Sequence, residues 1–119
     1  GQKGKPSATS PWIRKYIFPG GYIPSLSEIV KVTEKFNVNV TDIEVLRSHY
    51  AHTLDYWYKN TMQHKNEIIK MFDKRFLRMW EFYLLISKYS FVNMGNVVFQ
   101  IQIAKNLNNI PLTRNYIYN

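Results

Sequence analysis

No cysteine occurs in the 119 residues. Disulfide frameworks, thiolate zinc sites and cysteine nucleophiles are therefore all excluded, and a reducing compartment is permitted. Glycine is scarce, with Gly1, Gly4, Gly20, Gly21 and Gly95 as the whole set. Neither a G-x-G-x-x-G turn nor a Walker-type loop can be assembled from those positions, so the usual cradle for a nucleotide-like cofactor is not in this chain. Long apolar runs are missing too. The longest, Phe82 to Ile86, has five residues, whereas a membrane-spanning helix needs about 20. The first ten residues are small, polar and basic with no apolar stretch behind them, unlike a signal peptide. Acidic residues are few: 8 Asp and Glu face 16 Lys and Arg, for a net charge of +8. That excess favours an anionic partner, either a phospholipid surface or nucleic acid.

The length suits one domain, and 45% hydrophobic with 16% aromatic residues is enough to form a core. Residues 1–10 (GQKGKPSATS) read as a flexible tail or linker, with order beginning at Pro11. Ser10-Pro11 suits a helix start, and Trp12, Ile13, Tyr16 and Ile17 then form an apolar stripe that ends at Phe18-Pro19-Gly20-Gly21. Ser25 and Glu28 have capping-box spacing. A helix of about ten residues should follow, with Leu26, Ile29, Val30 and Phe36 inward. A strand is expected over 41–47; the apolar phase slips from Val38 and Val40 to Ile43 and Val45, which calls for a turn or bulge near Thr41-Asp42.

The pattern then predicts one long helix over 51–72 and another over 74–91. The second is apolar apart from a stripe of Lys74, Arg78, Glu81 and Lys88, so it should be mostly buried. A strand is expected over 96–104, and residues 106–119 read as a loosely attached tail. Two strands make only a marginal sheet, and a chain built this way looks like part of something larger.

Three stretches carry a family resemblance: WIRKYIFPGG at 12–21, HYAHTL at 49–54 continuing into DYW, and QIQIAK at 100–105. Their order and spacing resemble the carboxy-terminal part of cyclopropane-fatty-acyl-phospholipid synthases and mycolic acid methyltransferases. The likeness spans residues 11–105. It implies an α/β fold: the carboxy-terminal portion of a Rossmann-like S-adenosylmethionine methyltransferase, here mainly helices plus an antiparallel pair of strands. It also implies transfer of a methyl group to a cis double bond of a phospholipid acyl chain. A carbocation forms on the chain, and proton loss to a bound bicarbonate closes a cyclopropane. The cofactor loop and the other bicarbonate ligands would lie upstream, outside this chain, so the isolated segment is expected to be inactive. The expected partners are phospholipid acyl chains, an anionic membrane surface and the rest of the methyltransferase domain, with no nucleic acid. The expected location is cytoplasmic and peripheral to the inner membrane.

By this resemblance Tyr50 is catalytic, its hydroxyl donating to bicarbonate. A phenol can donate one hydrogen bond to an anion without adding charge, and its ring can face a cation. Read without the resemblance, Tyr50 is a half-buried tyrosine at a strand-to-helix junction. Phe18, Pro19, Gly20, Gly21 and Leu54 would line the acyl tunnel, as would Tyr83, Leu84, Ser87 and Phe91. The plain alternative for each is a helix-ending turn or ordinary core. Relatives often have Cys where Ser87 stands and Arg where Val92 stands; the second difference removes a cation near the headgroup. His49 and His52 make a weak H-x-x-H pair, better read as surface residues. Lys59, Lys65, Lys70, Lys74, Arg75 and Arg78 give the middle of the chain a basic bias that suits either membrane docking or a solvated face. A competing reading is a non-catalytic basic module derived from this family that binds membrane or nucleic acid.

Overall fold

The computed structural model describes residues 7–118. Strand β1 (Ser7–Ala8) pairs antiparallel with β2 (Tyr22–Ile23), bracketing helix α1 (Pro11–Tyr16). The Ser10 hydroxyl caps α1 by accepting the Ile13 amide at 3.3 Å, with Pro11 at the first helical position. Residues 7–10 therefore belong to the folded part, and Thr9 is buried. The order expected from Pro11 starts earlier, because two backbone strand pairs and one buried hydroxyl outweigh a linker-like composition. The rest of the expected amino-terminal tail, residues 1–6, lies outside the described residues.

Past α1, the Gly21 amide donates to the Phe18 carbonyl at 2.9 Å and closes a turn. Gly20 supplies the positive φ of 75° that this turn needs. Helix α2 (Leu26–Lys35) starts at the anticipated capping box, with the Ser25 amide donating to Glu28 Oε2 at 2.9 Å. The Tyr22 hydroxyl donates to the other Glu28 oxygen at 2.6 Å. That bond, then the Ser25 amide, holds the Glu28 carboxyl below its ordinary range. Phe36, expected inward, is 75% exposed. The helix ends there and Asn37 turns the chain at φ 53°, so no partner element covers the ring.

Strands β3 (Asn39–Leu46) and β4 (Val98–Ala104) pair antiparallel, with Ile43 opposite Ile101 and Val45 opposite Phe99. The register shifts between Val40 and Asp42, where the apolar phase of the sequence slips. The single helix expected over 51–72 is two helices, α3 (His49–Gln63) and α4 (Lys65–Met71). His64 divides them. Its backbone amide donates to the Asn60 carbonyl at 3.2 Å and its Nδ1 lies 2.9 Å from the same oxygen. A local ring contact of this kind leaves no mark in apolar periodicity. Helix α5 (Lys74–Asn93) is capped by Asp73, whose Oδ1 accepts the Phe76 amide at 2.6 Å.

Three polar bonds join α3 to α5. Trp80 Nε1 donates to Thr61 Oγ1 at 3.2 Å, the Tyr58 hydroxyl to Glu81 Oε1 at 3.0 Å, and Lys88 Nζ to Asp55. Partner numbers fall on α3 as they rise on α5, so the helices run antiparallel. Leu54 and Leu84, each 1% exposed, are the largest apolar side chains sealed within the fold. The rest of α5 is more open than its composition suggests: Phe82, Leu85, Tyr89 and Val92 are all exposed, and Leu84 alone is fully buried. The accessible area of 9187 Å² exceeds the roughly 6,800 Å² of a compact monomer of this mass. The radius of gyration of 18.1 Å is likewise above the about 13–14 Å of a compact chain. Apolar patterning reports which face seeks cover, not whether this chain provides it.

After β4, short 3₁₀ turns at Leu107–Asn109 and Arg114–Ile117 follow the sheet. Arg114 pairs with Asp42, and the Tyr116 hydroxyl hydrogen-bonds the Gln102 side-chain amide. The expected loose tail is thus tied to both strands through Arg114 and Tyr116.

Candidate functional site

A cleft of about 710 Å³ opens where the Phe18–Gly21 turn, the first turn of α3 and the carboxy-terminal half of α5 converge. Each side chain arrives for a local reason. The turn after α1 carries Phe18 to the rim, and its second glycine permits a close approach. A Cβ on Gly21 would lie 3.0 Å from the Phe18 carbonyl oxygen and 3.3 Å from Thr9 Oγ1. Tyr50 sits at the second position of α3, just beyond the end of β3. Tyr83, Ile86, Ser87, Ser90, Phe91 and Met94 follow one another at helical spacing along α5.

Of the residues the resemblance nominates, Phe18, Gly21, Tyr50, Tyr83, Ser87 and Phe91 all line this cleft. Pro19 and Gly20 do not; they are exposed at the apex of the turn. Leu54 and Leu84 do not line it either. Both are sealed in the fold, so at these positions the plain core reading describes the geometry. The reason is angular: on α3 and α5 these leucines project into the helix pair, not into the opening beside it. Ile13, Ile86, Ser90 and Thr9 are lining residues that the motifs alone did not nominate. Helical spacing from Tyr83 could have found Ile86 and Ser90; nothing in a linker-like decapeptide marked Thr9.

The lining includes no charged side chain among the described residues. Its aromatic residues are Phe18, Tyr22, Tyr50, Tyr83 and Phe91. Tyr50 lies 5.0 Å from Phe91 and 5.8 Å, edge-on, from Trp57; Phe18 meets Tyr83 at 6.0 Å, also edge-on. Polar groups at the α5 end satisfy one another: Ser90 Oγ donates to the Ser87 carbonyl at 2.7 Å and accepts from Asn96 Nδ2 at 3.0 Å. Burial pushes the Tyr83 phenol above its ordinary range, opposed by a hydrogen bond with Ser87 and aided by the nearby Tyr50. It therefore stays a neutral hydroxyl. Such a cleft suits an uncharged guest and can offer aromatic rings to a positive charge that develops on it. His49 and His52 are exposed, and no three metal-ligating side chains converge among the described residues.

Residues 2–101 match the profile of a family described as mycolic acid cyclopropane synthetase. Among curated proteins, the tuberculostearic acid methyltransferase UfaA1 of Mycobacterium tuberculosis is 42% identical over 85 residues, 70% of this chain and 20% of its own length. The cyclopropane-fatty-acyl-phospholipid synthase of Escherichia coli is 30% identical over 109 residues, 92% of this chain and 28% of its own. A solved structure of the mycolic acid cyclopropane synthase CmaA1, complexed with SAH and CTAB, superposes with a TM-score of 0.75 at 28% identity. That match covers 79% of this chain and 33% of the solved one. The chain thus spans between a fifth and a third of the length of these relatives.

Proposed function

Because the chain belongs to the mycolic acid cyclopropane synthetase family, we propose that it is the acyl-chain side of an S-adenosylmethionine-dependent lipid methyltransferase. One observation carries this reading. A single uncharged cleft collects Phe18 and Gly21 of the first motif, Tyr50 of the second, and Tyr83, Ser87 and Phe91 of α5. When bound, S-adenosylmethionine supplies an electrophilic methyl group. The five glycines provide no cofactor loop, so in this reading the cofactor site belongs to the rest of the protein and the segment by itself is inactive. The relatives named above differ in the activity their names give, one a tuberculostearic acid methyltransferase and one a cyclopropane-fatty-acyl-phospholipid synthase. For this chain we favour methylenation of a cis double bond in a phospholipid acyl chain to a cyclopropane.

The cleft's own residues would act as follows. The apolar part of the lining, Ile13, Phe18, Ile86 and Phe91, would help keep water from the reacting carbons. The ring faces of Tyr50 and Phe91 stabilise the positive charge left on the acyl chain when an alkene carbon takes the methyl group. The proton lost on ring closure needs a base. Bicarbonate fits that task here to one extent: the Tyr50 hydroxyl has no hydrogen-bond partner among the described residues and can donate to such an anion. We propose further that the protein works at the cytoplasmic face of the inner membrane, where a phospholipid substrate is met, and that nucleic acid is not a partner.

The test is methyl transfer from labelled S-adenosylmethionine to a monounsaturated phospholipid by the longest natural form of the protein. A product heavier by one methylene, with its olefinic protons lost, is expected. In that form Tyr50→Phe should slow turnover roughly a hundredfold with cofactor affinity unchanged. A form that binds S-adenosylmethionine yet leaves every lipid unlabelled would defeat the reading.

A further inference from the structure

Tyr50 and Phe91, whose rings lie 5.0 Å apart in the cleft, are carried by different supports. Tyr50 follows the end of β3 at Leu46, whereas Phe91 stands in the last turn of α5. Leu46 pairs with Val98, the first residue of β4, so the end of β3 and the start of β4 are held together. Asn96, just ahead of Val98, ties α5 to that point. The chain leaves the helix at Gly95, and Asn96 then reaches back to bond Ser90 twice. Its backbone amide donates to the Ser90 carbonyl at 3.4 Å, and its side-chain amide donates to Ser90 Oγ at 3.0 Å. Val97, the next residue, is buried. Asn93 also bonds a carbonyl at this helix end, that of Tyr89 at 3.3 Å, but wholly within α5.

The direction of these bonds follows from chemistry. Ser90 Oγ lies 2.7 Å from the Ser87 carbonyl, an oxygen that can only accept, so the Ser90 proton is committed there. Ser90 Oγ must then accept from residue 96, and in that side chain only the amide nitrogen can donate. Tyr50, Ser87, Ser90, Phe91 and Asn96 all line the cleft. We propose that Asn96 is a positioning residue for methyl transfer: by donating to Ser90 it fixes the end of α5 against the β3–β4 pair and so sets the Phe91 ring against Tyr50. The proposal rests on the lipid-methyltransferase reading and adds to it the bond that spaces the two rings facing the developing charge. Every bond in this circuit is made within the described residues, so none relies on a surface that the rest of the protein could cover. The spacing matters because the attraction between a cation and a ring depends on distance and orientation. Misplacing a group by about 1 Å can cost about a hundredfold in rate.

The experiment uses the longest natural form of the protein, with fluorotyrosine in place of Tyr50 for fluorine NMR and unlabelled protein for turnover. Phe91→Leu removes the neighbouring ring and calibrates the fluorine signal. Asn96→Ala should move that signal in the same direction by a smaller amount. It should also lower kcat roughly tenfold and leave the KM for S-adenosylmethionine unchanged. Asn96→Asp keeps the shape of the side chain but, when ionised, cannot donate, so it should behave as Asn96→Ala does. A merely space-filling asparagine would instead be replaced by aspartate without loss. Asn93→Ala removes the bond made within α5 and should leave both readouts unchanged. Far-ultraviolet circular dichroism will show which variants fold, and the isosteric Asn96→Asp decides if the alanine variant does not. A fluorine signal unmoved by the Asn96 variants would overturn the proposal. So would parental turnover in either of them, or an equal loss from Asn93→Ala. The fluorine signal is read without cofactor or lipid. A moved signal in a protein whose parent methylates no lipid defeats the enzymatic reading alone; normal methyl transfer with an unmoved signal defeats the positioning role alone.

Discussion

The two sides of α5 are built differently. Toward α3, it buries Leu84 and bonds to α3 from Trp80, Glu81 and Lys88. Toward α1, it presents Phe76, Met79, Phe82, Tyr83 and Ile86 to two open concavities, with arginines beside them. One side is closed by matched partners within the chain. The other is apolar but open, and open apolar area of this extent marks a surface that binds something. On this twenty-residue helix the contrast separates residues that hold the fold from residues that the described chain leaves open.

The sharpest way to break this comparison is to empty the closed side. Leu84→Ala and Leu54→Ala should each cost about 3 kcal/mol of stability in urea unfolding. A cost no larger than that of Phe82→Ser would mean the two sides are alike. Next comes the turn that frames the open side. Gly21→Ala should cost about 1–2 kcal/mol, because the new methyl would crowd the Phe18 carbonyl. Gly20→Ala has open space around it and should cost about 1 kcal/mol, for its positive φ alone. Tyr58→Phe removes one bond across the closed side and should cost about 1 kcal/mol or less. On the open side Tyr83→Phe should change stability by under about 0.5 kcal/mol while raising the KM for lipid, a split that a purely structural tyrosine would not show.

The smallest effect is a pH dependence on the closed side. Hydrogen bonds from Lys88 and then Lys59 hold the Asp55 carboxyl below its ordinary range. A carboxyl lowered by folding adds stability at pH above its unfolded value and loses it as pH falls through the lowered folded value. The α3–α5 contact should therefore persist through the ordinary carboxylate range and weaken only on the acid side of it. Asp55→Asn should abolish that acid-side step in a fluorescence titration of the unfolding midpoint; an unchanged step would assign it to another carboxyl, such as Glu28.

Much of the fold was legible residue by residue. The Ser10-Pro11 start, the Ser25–Glu28 box and the phase slip at Thr41-Asp42 are local chemistry, and each appears where its residues stand. The strands over 41–47 and 96–104 were legible from apolar patterning, while their antiparallel pairing, realised by β3 and β4, was implied by the resemblance. The motifs nominated six residues that line one cleft. Less legible were features set by distant partners. Composition marked residues 7–10 as linker, yet backbone pairing with Tyr22 and Ile23 orders Ser7 and Ala8. Periodicity placed Leu54 and Leu84 beside the cleft residues, yet they fill the helix pair instead.

Covalent sequence settled the short-range terms: caps, turn glycines, strand alternation and an excess of positive charge. Each depends on groups within a few residues, where chain geometry leaves little choice. Tertiary structure decided which apolar side chains are core and which line an opening, because burial depends on whether another element lies above them. It also set Arg75 and Arg78, which have no carboxylate partner among the described residues, beside the aromatic side chains of α1 and α5. That arrangement depends on where α1 lies against α5, as in the Trp12–Phe82 contact between residues far apart in the chain.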